Sequence, residues 1–425
     1  LYLQGPQSLQ YTLLLYLTRH VCRVEMREIS AAKPAFQEIN PVRVGVAGLS
    51  PEWDEEDDER ALIPYANSSF SGYRLLQEYF AFPERFFFIE IEGLDRFQAS
   101  QDGLPFEIRI TFNRKLARER YPSVDNVLLH CTPIVNLWDG PAEPVGVTQK
   151  MPEYYIIPDK TRRKSREIYS VNQVTGIGAE KGLQYKYTPA SSYEVLNMME
   201  PGYDYKRFYT IRRAPAAEKG DMAGTYIRLF GVSMQQEVLQ KETLSIMATF
   251  SNGKLPAVYL QMGKICESLN FPPGIDVANI TVPSEALDTP EHKNYLWALI
   301  SHLNTSYTTL ANLERLKSTL SLYNWTELYN KANTNRIDGI LKVLRPETKY
   351  ITYGRSFIRG IEFRMEVDSS KFEQGEGDLN LFGMVLSRFL SQYATINSVV
   401  YLDIFDIKDN RHHTWKPSLG KILPV

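Results

Sequence analysis

The sequence predicts an α+β fold of several lobes, with β-rich N-terminal and middle lobes and a mixed α/β C-terminal module. Three observations carry this. Strand-like alternation recurs along the first part of the chain and is cleanest where Phe106, Ile108, Ile110 and Phe112 alternate with Glu107, Arg109 and Thr111. The segment Phe271-Pro272-Pro273-Gly274, with further prolines up to Pro290, reads as a linker. Beyond it, helical stripes give way to a strand, helix, strand order in the last quarter. The chain has 425 residues, which at roughly 150 residues per domain suggests about three parts. They are expected at 1–150 (a β-rich lobe with an N-terminal helix), 151–270 (a β-rich middle lobe) and 271–425 (the α/β module).

Element by element, Leu9 to Val24 has helical spacing, with Leu13, Leu17, Val21 and Val24 on one face and Gln10, Thr12, Arg19 and His20 among them. That is a packed helix and not a membrane anchor. Glu52 to Glu59 is an acidic run next to Trp53 and reads as a solvated loop. Tyr73 to Phe82 is aromatic-rich, and Phe86 to Ile91 reads as a strand. Asn126 to Leu137, Tyr154 to Ile157 and Tyr169 to Val174 are candidate strands, with a basic loop at Lys160 to Arg166. Thr225 to Phe230 and Thr243 to Phe250 follow. Tyr295 to Leu310 reads as one strong helix whose face carries Leu296, Leu299, Leu303, Tyr307 and Leu310, and Leu313 to Tyr323 continues the helical pattern. In the last quarter the strand Ile361 to Val367, the helix Leu381 to Tyr393 and the strand Ile396 to Ile407 form a compact module. Phe382, Leu386 and Phe389 are expected to pack on the strand that bears Ile361, Phe363 and Met365.

Composition excludes several classes. The hydrophobic fraction of 43% and charged fraction of 23% are those of an ordinary globular protein. The formal net charge of −2 gives no basic field for a nucleic acid. No stretch reaches the roughly 20 apolar residues of a membrane span. The three cysteines, Cys22, Cys131 and Cys266, are widely spaced and form no CxxC pair, which fits a reducing, cytoplasmic setting.

Reactive constellations are thin. The glycines of Val174 to Gly182 follow a strand but precede Leu183-Gln184-Tyr185-Lys186-Tyr187, which is not helical, so a plain turn is favoured over a phosphate cradle. His130 and Cys131, as neighbours on a strand, would point to opposite faces and could not form a dyad. His412 and His413 lie in a polar stretch without further ligands and read as a solvated loop. There is no nucleophile elbow, HExxH motif or calcium loop. No catalytic, cofactor-binding or metal-binding residue is assigned, and no cofactor is expected.

The aromatics weigh the other way. There are 26 Tyr and 20 Phe, many beside Pro or Gly in non-periodic stretches. Such side chains carry interface hot spots as well as cores. The helical stripes read as core. For the segment from Phe70 to Phe82 the two readings balance. A helix starting near Gly72 would place Tyr73, Gln77 and Phe80 near one face and Leu75, Tyr79 and Phe82 near another. One face can be buried in its own lobe, which leaves the other for a second chain. Phe70, Tyr73, Tyr79, Phe80 and Phe82 are therefore the candidate interface residues.

Ser68 to Phe86, SSFSGYRLLQEYFAFPERF, resembles the signature of the TssF (VasA- and ImpG-like) family of type VI secretion baseplate subunits. Leu129 to Leu137, His292 to Leu310, Phe357 to Phe363, Leu381 to Leu390 and Tyr393 to Ser398 are further family-like blocks, in family order. The likeness is thinnest at Glu52 to Glu59 and from Lys206 to Met222. The resemblance implies a fold similar to the wedge proteins of contractile phage tails and a structural, non-enzymatic role. It implies pairing with a second copy and with a TssG-like subunit, in a wedge with TssE-like and TssK-like subunits. That wedge would surround a VgrG spike and found the Hcp tube and sheath, in the cytoplasm at the inner face of the bacterial inner membrane. It implies neither nucleic-acid binding nor membrane insertion. The family's helical N-terminal region is not found before Leu1, so the sequence reads as lacking it. The alternatives are a hydrolase with an unrecognised cleft and a carbohydrate-binding β module.

Overall fold

The computed structural model describes residues 1–29, 34–49, 62–63, 71–98, 103, 105–148, 150–178, 184–190, 207–214, 223–231, 241–266, 272, 274–288, 290, 294–303, 306–326, 330–353 and 356–420. The chain forms two compact units. The first joins Leu1–Ile134 to Leu287–Val425, and the second is Val135–Ala286. The division expected from the proline stretch differs from this. The segments 1–150 and 271–425 largely contribute to one unit, because helices from both ends of the chain share a core.

The N-terminal part of the first unit contains β1 (Tyr2–Leu3), α1 (Gln7–Arg19), β2 (Val21–Glu28), β3 (Gln37–Glu38), β4 (Arg43–Val46), α2 (Ser71–Ala81), β5 (Ile89–Glu92), β6 (Phe106–Phe112) and β7 (Val127–Leu128). Helix α1 stops at Arg19, short of the predicted end. Val21 and Val24 lie instead on β2, where Val21 pairs with Phe112 and Val24 with Ile110 of β6. Residues spaced by three or four share a face in a helix, and that spacing alone does not mark the point where β-branched residues turn the chain to a strand. In the sheet β3-β2-β6, strand β6 is at the edge. Its apolar face is only partly covered, and Phe106 is exposed. The clean inside–outside alternation of its sequence is thus not matched by its burial.

The second unit holds β8 (Trp138–Pro141), β9 (Val145–Val147), β10 (Tyr154–Ile156), β11 (Glu167–Gly178), β12 (Gln184–Pro189), β13 (Arg207–Ala214), β14 (Gly224–Gly231), β15 (Glu242–Ser251) and the short helix α3 (Leu255–Tyr259). They form an eight-stranded sheet in the order β10-β14-β13-β12-β11-β15-β8, with β9 also on β15. Period-2 patterning does the work here: Leu244, Ile246, Ala248 and Phe250 of β15 are buried with Ile156, Ile168, Val174 and Ile227. The glycine-bearing segment continues β11 as far as Gly178 and pairs with β12 antiparallel; residues 179–183 lie outside the described residues.

After residue 287 the first unit resumes with α4 (Tyr295–Leu303), α5 (Tyr307–Leu310), α6 (Leu313–Leu322), α7 (Lys331–Asp338), β16 (Ile340–Val343), β17 (Glu347–Tyr353), β18 (Ser356–Val367), α8 (Glu376–Ser391), β19 (Val399–Asp406), β20 (Arg411–Thr414) and β21 (Ser418–Leu419). The sheet order is β16-β18-β19-β20, with β17 on β18 and β21 on β19. Strands β18 and β19 are parallel, and α8 is the crossover between them. Helix α8 packs on β19 and β21. It carries Glu376 and Asp378 in its first turn and Arg388 in its last, matching the helix dipole. Helices α1 and α2 pack on it as well. Gly377 permits the approach of α1, since a Cβ there would lie 2.3 Å from the Tyr11 carbonyl oxygen. Gly383 leaves room for the Trp415 ring in the same way.

Candidate protein-interaction surface

Helix α2 lies inside the core of the first unit. Tyr73, Tyr79 and Phe80 are 8%, 0% and 1% exposed. The Tyr73 ring stacks on Tyr323 at 5.4 Å between centroids, and Tyr79 meets Phe86 and Phe382 edge-on or tilted. The polar groups of the helix are also consumed inside the unit. The Glu78 carboxylate lies 2.5 Å from the Arg85 guanidinium and accepts hydrogen bonds from the backbone N–H groups of Leu62 and Ile63. The Asn333 side chain on α7 donates to the Phe80 carbonyl at 2.9 Å. Both faces of the helix are thus covered by this chain at Tyr73, Tyr79 and Phe80, which the sequence reading had set on two faces, one of them open. Phe82 is half-buried, and Phe70 lies outside the described residues.

Close to this helix is a buried polar knot. His302 of α4 is 5% exposed. Its Nδ1 is 3.2 Å from the Tyr323 hydroxyl and its Nε2 3.2 Å from the Tyr393 hydroxyl. The Tyr73 hydroxyl donates to the His302 carbonyl at 3.4 Å. Burial pushes the imidazole pKa down to about 4, so the ring is neutral at ordinary pH and one nitrogen donates while the other accepts. One level deeper, Arg336 of α7 is bound to Asp378 of α8 at 2.8 Å and to Asn333 at 2.6 Å. These contacts join α2, α4, α6, α7 and α8 by buried hydrogen bonds.

The other face of α4 is different. Leu296, Trp297 and Ile300 are 67%, 70% and 49% exposed. The predicted single helix over 295–310 is two helices, and its stripe is only partly core: Leu310 is fully buried and Leu299 half-buried, while Leu296 and Tyr307 are exposed. Among the described side chains of α4 the buried ones are Tyr295 and His302, seven residues apart and so on one side of the helix. Tyr295 is held by the indole N–H of Trp325, which donates to its hydroxyl at 3.1 Å. Leu296, Trp297 and Ile300 fall on the opposite side. The stripe read from periodicity contains Leu296 but neither Trp297 nor Ile300, and the described anchors of α4 are two residues with polar tips. From Asn294 to Leu313 the chain carries no Asp, Glu, Lys or Arg. An exposed tryptophan in an uncharged apolar stripe has the composition of an interface core.

The remaining candidates for chemistry separate. His130 lies in the loop after β7 with a left-handed φ of 56°, and the Cys131 thiol is 3.4 Å from the Leu129 carbonyl. The strand expected there ends at Leu128. His412 and His413 lie on β20 rather than in a loop. His412 is exposed against Asp403, with Nδ1 2.9 Å from Oδ1, while His413 is buried. The pairing of this short strand with β19 is set by register and not by local pattern, so no alternation in the sequence marks it. Among the described residues no group of three or more His, Cys, Asp or Glu side chains is placed to hold a metal. A cleft lined by Pro41, Arg43, Glu92, Asp95 and Arg96 holds no histidine, serine or cysteine. No described helix is long and apolar enough to cross a membrane. The acidic run Glu52 to Glu59 lies outside the described residues.

Comparison with known proteins gives this surface its context. The chain is 29% identical over 421 residues to the type VI secretion system component TssF1 of Pseudomonas aeruginosa. The match takes in 94% of this chain and spans 65% of the relative's length. One chain of the type VI secretion system TssK-TssF-TssG baseplate subcomplex, seen by cryo-electron microscopy, superposes with a TM-score of 0.81 at 29% identity, covering 100% of this chain and 75% of that one. A chain of a type VI baseplate complex shares the fold at a TM-score of 0.61 and 23% identity, covering 98% of this chain and 69% of that one. The family model described as type VI secretion system, TssF, matches residues 1–422. With that match running almost from end to end, the chain belongs to the TssF family.

Proposed function

We propose that this chain is a structural, non-enzymatic subunit of a type VI secretion baseplate wedge, and that it binds TssG-like and TssK-like subunits. The likeness to a chain of the TssK-TssF-TssG subcomplex supports the choice of partners. In the same reading it pairs with a second copy, neighbours a TssE-like subunit and the VgrG spike, and helps found the Hcp tube and sheath. Its place is the cytoplasm, at the inner face of the inner membrane.

The observation that carries the reading is the exposed Leu296, Trp297 and Ile300 face of α4. A fold that buries Tyr295 and His302 of one helix and leaves its tryptophan in water needs a second chain to cover that side. The occupant fitted to it here is a TssG-like or TssK-like subunit. The segment from Phe70 to Phe82 supports this from within: Tyr73 is stacked on Tyr323 and contacts His302, so it steadies α4, and the half-buried Phe82 is the described candidate left for direct contact.

The test is co-expression of the full chain with its TssG-like and TssK-like subunits, followed by pull-down and thermal unfolding. Trp297→Ala is expected to weaken capture about thirtyfold, the equivalent of about 2 kcal/mol, at an unchanged melting temperature. Undiminished capture by both Trp297→Ala and Leu296→Asp would remove α4 from the interface.

A further inference from the structure

Strand β18 is 12 residues long, but its neighbours do not follow it to its start. Strand β19 pairs with Gly360 to Val367 and β16 with Met365 to Val367. Before Gly360, among the described residues, β18 has only β17 beside it, in an unbroken antiparallel ladder from Glu347 opposite Glu362 to Tyr353 opposite Ser356. The two strands form an arm that extends the sheet past its other members.

The side-chain period fixes which face of the arm is which. Phe357, Arg359 and Ile361 alternate onto the same face as Phe363, Met365 and Val367. The directly opposed Thr352 and Tyr350 join them there. Within the sheet this is the core face. Phe363, Met365 and Val367 are buried, with α6 and α7 against β16 on one side and α8 against β19 on the other. On the arm the same face continues without that cover: Tyr350 is 81% and Phe357 77% exposed. Arg359, opposite Tyr350 and two residues along from Phe357 on the same face, is exposed and has no acidic partner among the described residues.

Where the opposite face runs on into the sheet it is charged. There Lys342 meets Glu366 at 3.3 Å, Lys349 meets Glu362 at 2.5 Å and Arg364 meets Glu362 at 3.4 Å. Its cations are neutralised by its own carboxylates, as on a solvated sheet face.

We propose that the inner face of the β17–β18 arm receives an amphipathic helix of a partner protein, laid on it as an outward continuation of this chain's own helix layer. The helix supplies apolar side chains to Tyr350 and Phe357 and a carboxylate to Arg359. Edges of the arm are open too, but a helix fits better than an added strand because Tyr350, Phe357 and Arg359 stand out on a face already covered by helices further along. A carboxylate fits because Arg359 neighbours two exposed aromatic residues on the face a partner would cover, where water is removed and an unpaired guanidinium would be costly. The ladder is formed before binding, so little order has to be gained on docking. The inference rests on the reading of the chain as a baseplate subunit.

The experiment uses the full chain co-expressed with its TssG-like and TssK-like subunits. A photo-crosslinking phenylalanine replaces Phe357 in one sample and Lys342, on the opposite face, in another. Crosslinked peptides are identified by mass spectrometry. The expected product joins position 357 to a partner segment with apolar residues at helical spacing and an Asp or Glu among them, with no counterpart from position 342. Arg359→Glu is expected to lower its yield about tenfold and Arg359→Lys far less, with thermal unfolding unmoved by either. Crosslinks to a second copy, or to a segment with strand alternation, would overturn the assignment. So would binding of the arm to phosphatidylglycerol vesicles or an oligonucleotide in place of the subunits. If the wild-type chain retains both subunits and position 357 yields no more than position 342, the arm is excluded and the baseplate reading stands. If the wild type retains neither subunit, both fall.

Discussion

Helices α2 and α4 are built from similar apolar and aromatic side chains, and they lie within reach of each other through Tyr73 and His302. Around α2 the large side chains are sealed in. Along α4 the leucine, tryptophan and isoleucine of the middle turns face water. The difference follows the polar residues more than the apolar ones. Helix α2 carries Glu78, and the fold supplies it with Arg85 and two backbone N–H donors. A buried charge persists only where such partners are provided, so Glu78 marks an element that the chain packs for itself. Helix α4 carries no Asp, Glu, Lys or Arg, and its two anchors are the polar-tipped Tyr295 and His302. Nothing on its outer side asks this chain for a partner, and nothing there repels an apolar one.

The largest effects should come from breaking α2. Phe80→Ala removes a fully buried ring beside Tyr79 and is expected to cost about 3–5 kcal/mol, read as a fall in the unfolding midpoint of the first unit. Glu78→Ala leaves the Arg85 guanidinium buried without its carboxylate and is expected to cost about 3 kcal/mol. In both variants partner capture should fall only as far as the folded fraction does. Capture that collapses while the midpoint holds would make α2 a contact surface after all and dissolve the contrast with α4.

How much of this could be read from the sequence depends on what kind of force decides each feature. Where one face meets the chain's own core, the pattern suffices: Leu244, Ile246, Ala248 and Phe250 alternate in sequence and are buried in β15. The helix at 381–393 and the strand at 361–367 were legible for the same reason. The end of α1 was not, because Val21 and Val24 satisfy the helical period and only the long-range pairing with β6 takes them into a strand. The union of 1–134 with 287–425 was hidden likewise, since α1, α2 and α8 meet across most of the chain. The candidate surface failed in a different way. An amphipathic pattern states that a face wants cover and is silent on which chain provides it. Phe80 and Trp297 look alike on that test, and only the placement of Glu78 and His302 tells them apart.

An intermediate effect is tied to His302, the residue that fastens α4 to the core. Burial holds its imidazole at about 4, below its ordinary 6.5. Below pH 6.5 the unfolded chain takes up a proton that the folded chain refuses, so stability is complete above that pH and declines as pH falls towards 4. The loss from this group between pH 7 and pH 5 is expected to be about 2 kcal/mol. Buried His413 is shifted in the same direction and adds to the slope. Denaturant titrations at several pH values should show His302→Gln with a shallower acid slope than the wild type. An unchanged slope would mean that the ring is not held neutral by its burial, and the description of α4 as hung from a neutral polar knot would have to change.

The smallest expected effect on stability is the most informative about function. Trp297 is among the largest side chains of the protein, and truncating such a ring in a core costs about 3–5 kcal/mol. Here most of the ring is in water in the isolated chain, so Trp297→Ala should change stability by no more than about 0.5 kcal/mol. The same holds for Leu296→Ala on the neighbouring position. The measurement is a denaturant midpoint for the isolated chain beside one for the chain with its TssG-like and TssK-like subunits. Covered by a partner, the tryptophan becomes a core residue of the assembly, and the variant should then forgo most of the stabilisation that binding gives to the wild type. A loss of several kcal/mol in the isolated chain would show that Trp297 already has its cover at home, and α4 would join α2 as an internal helix.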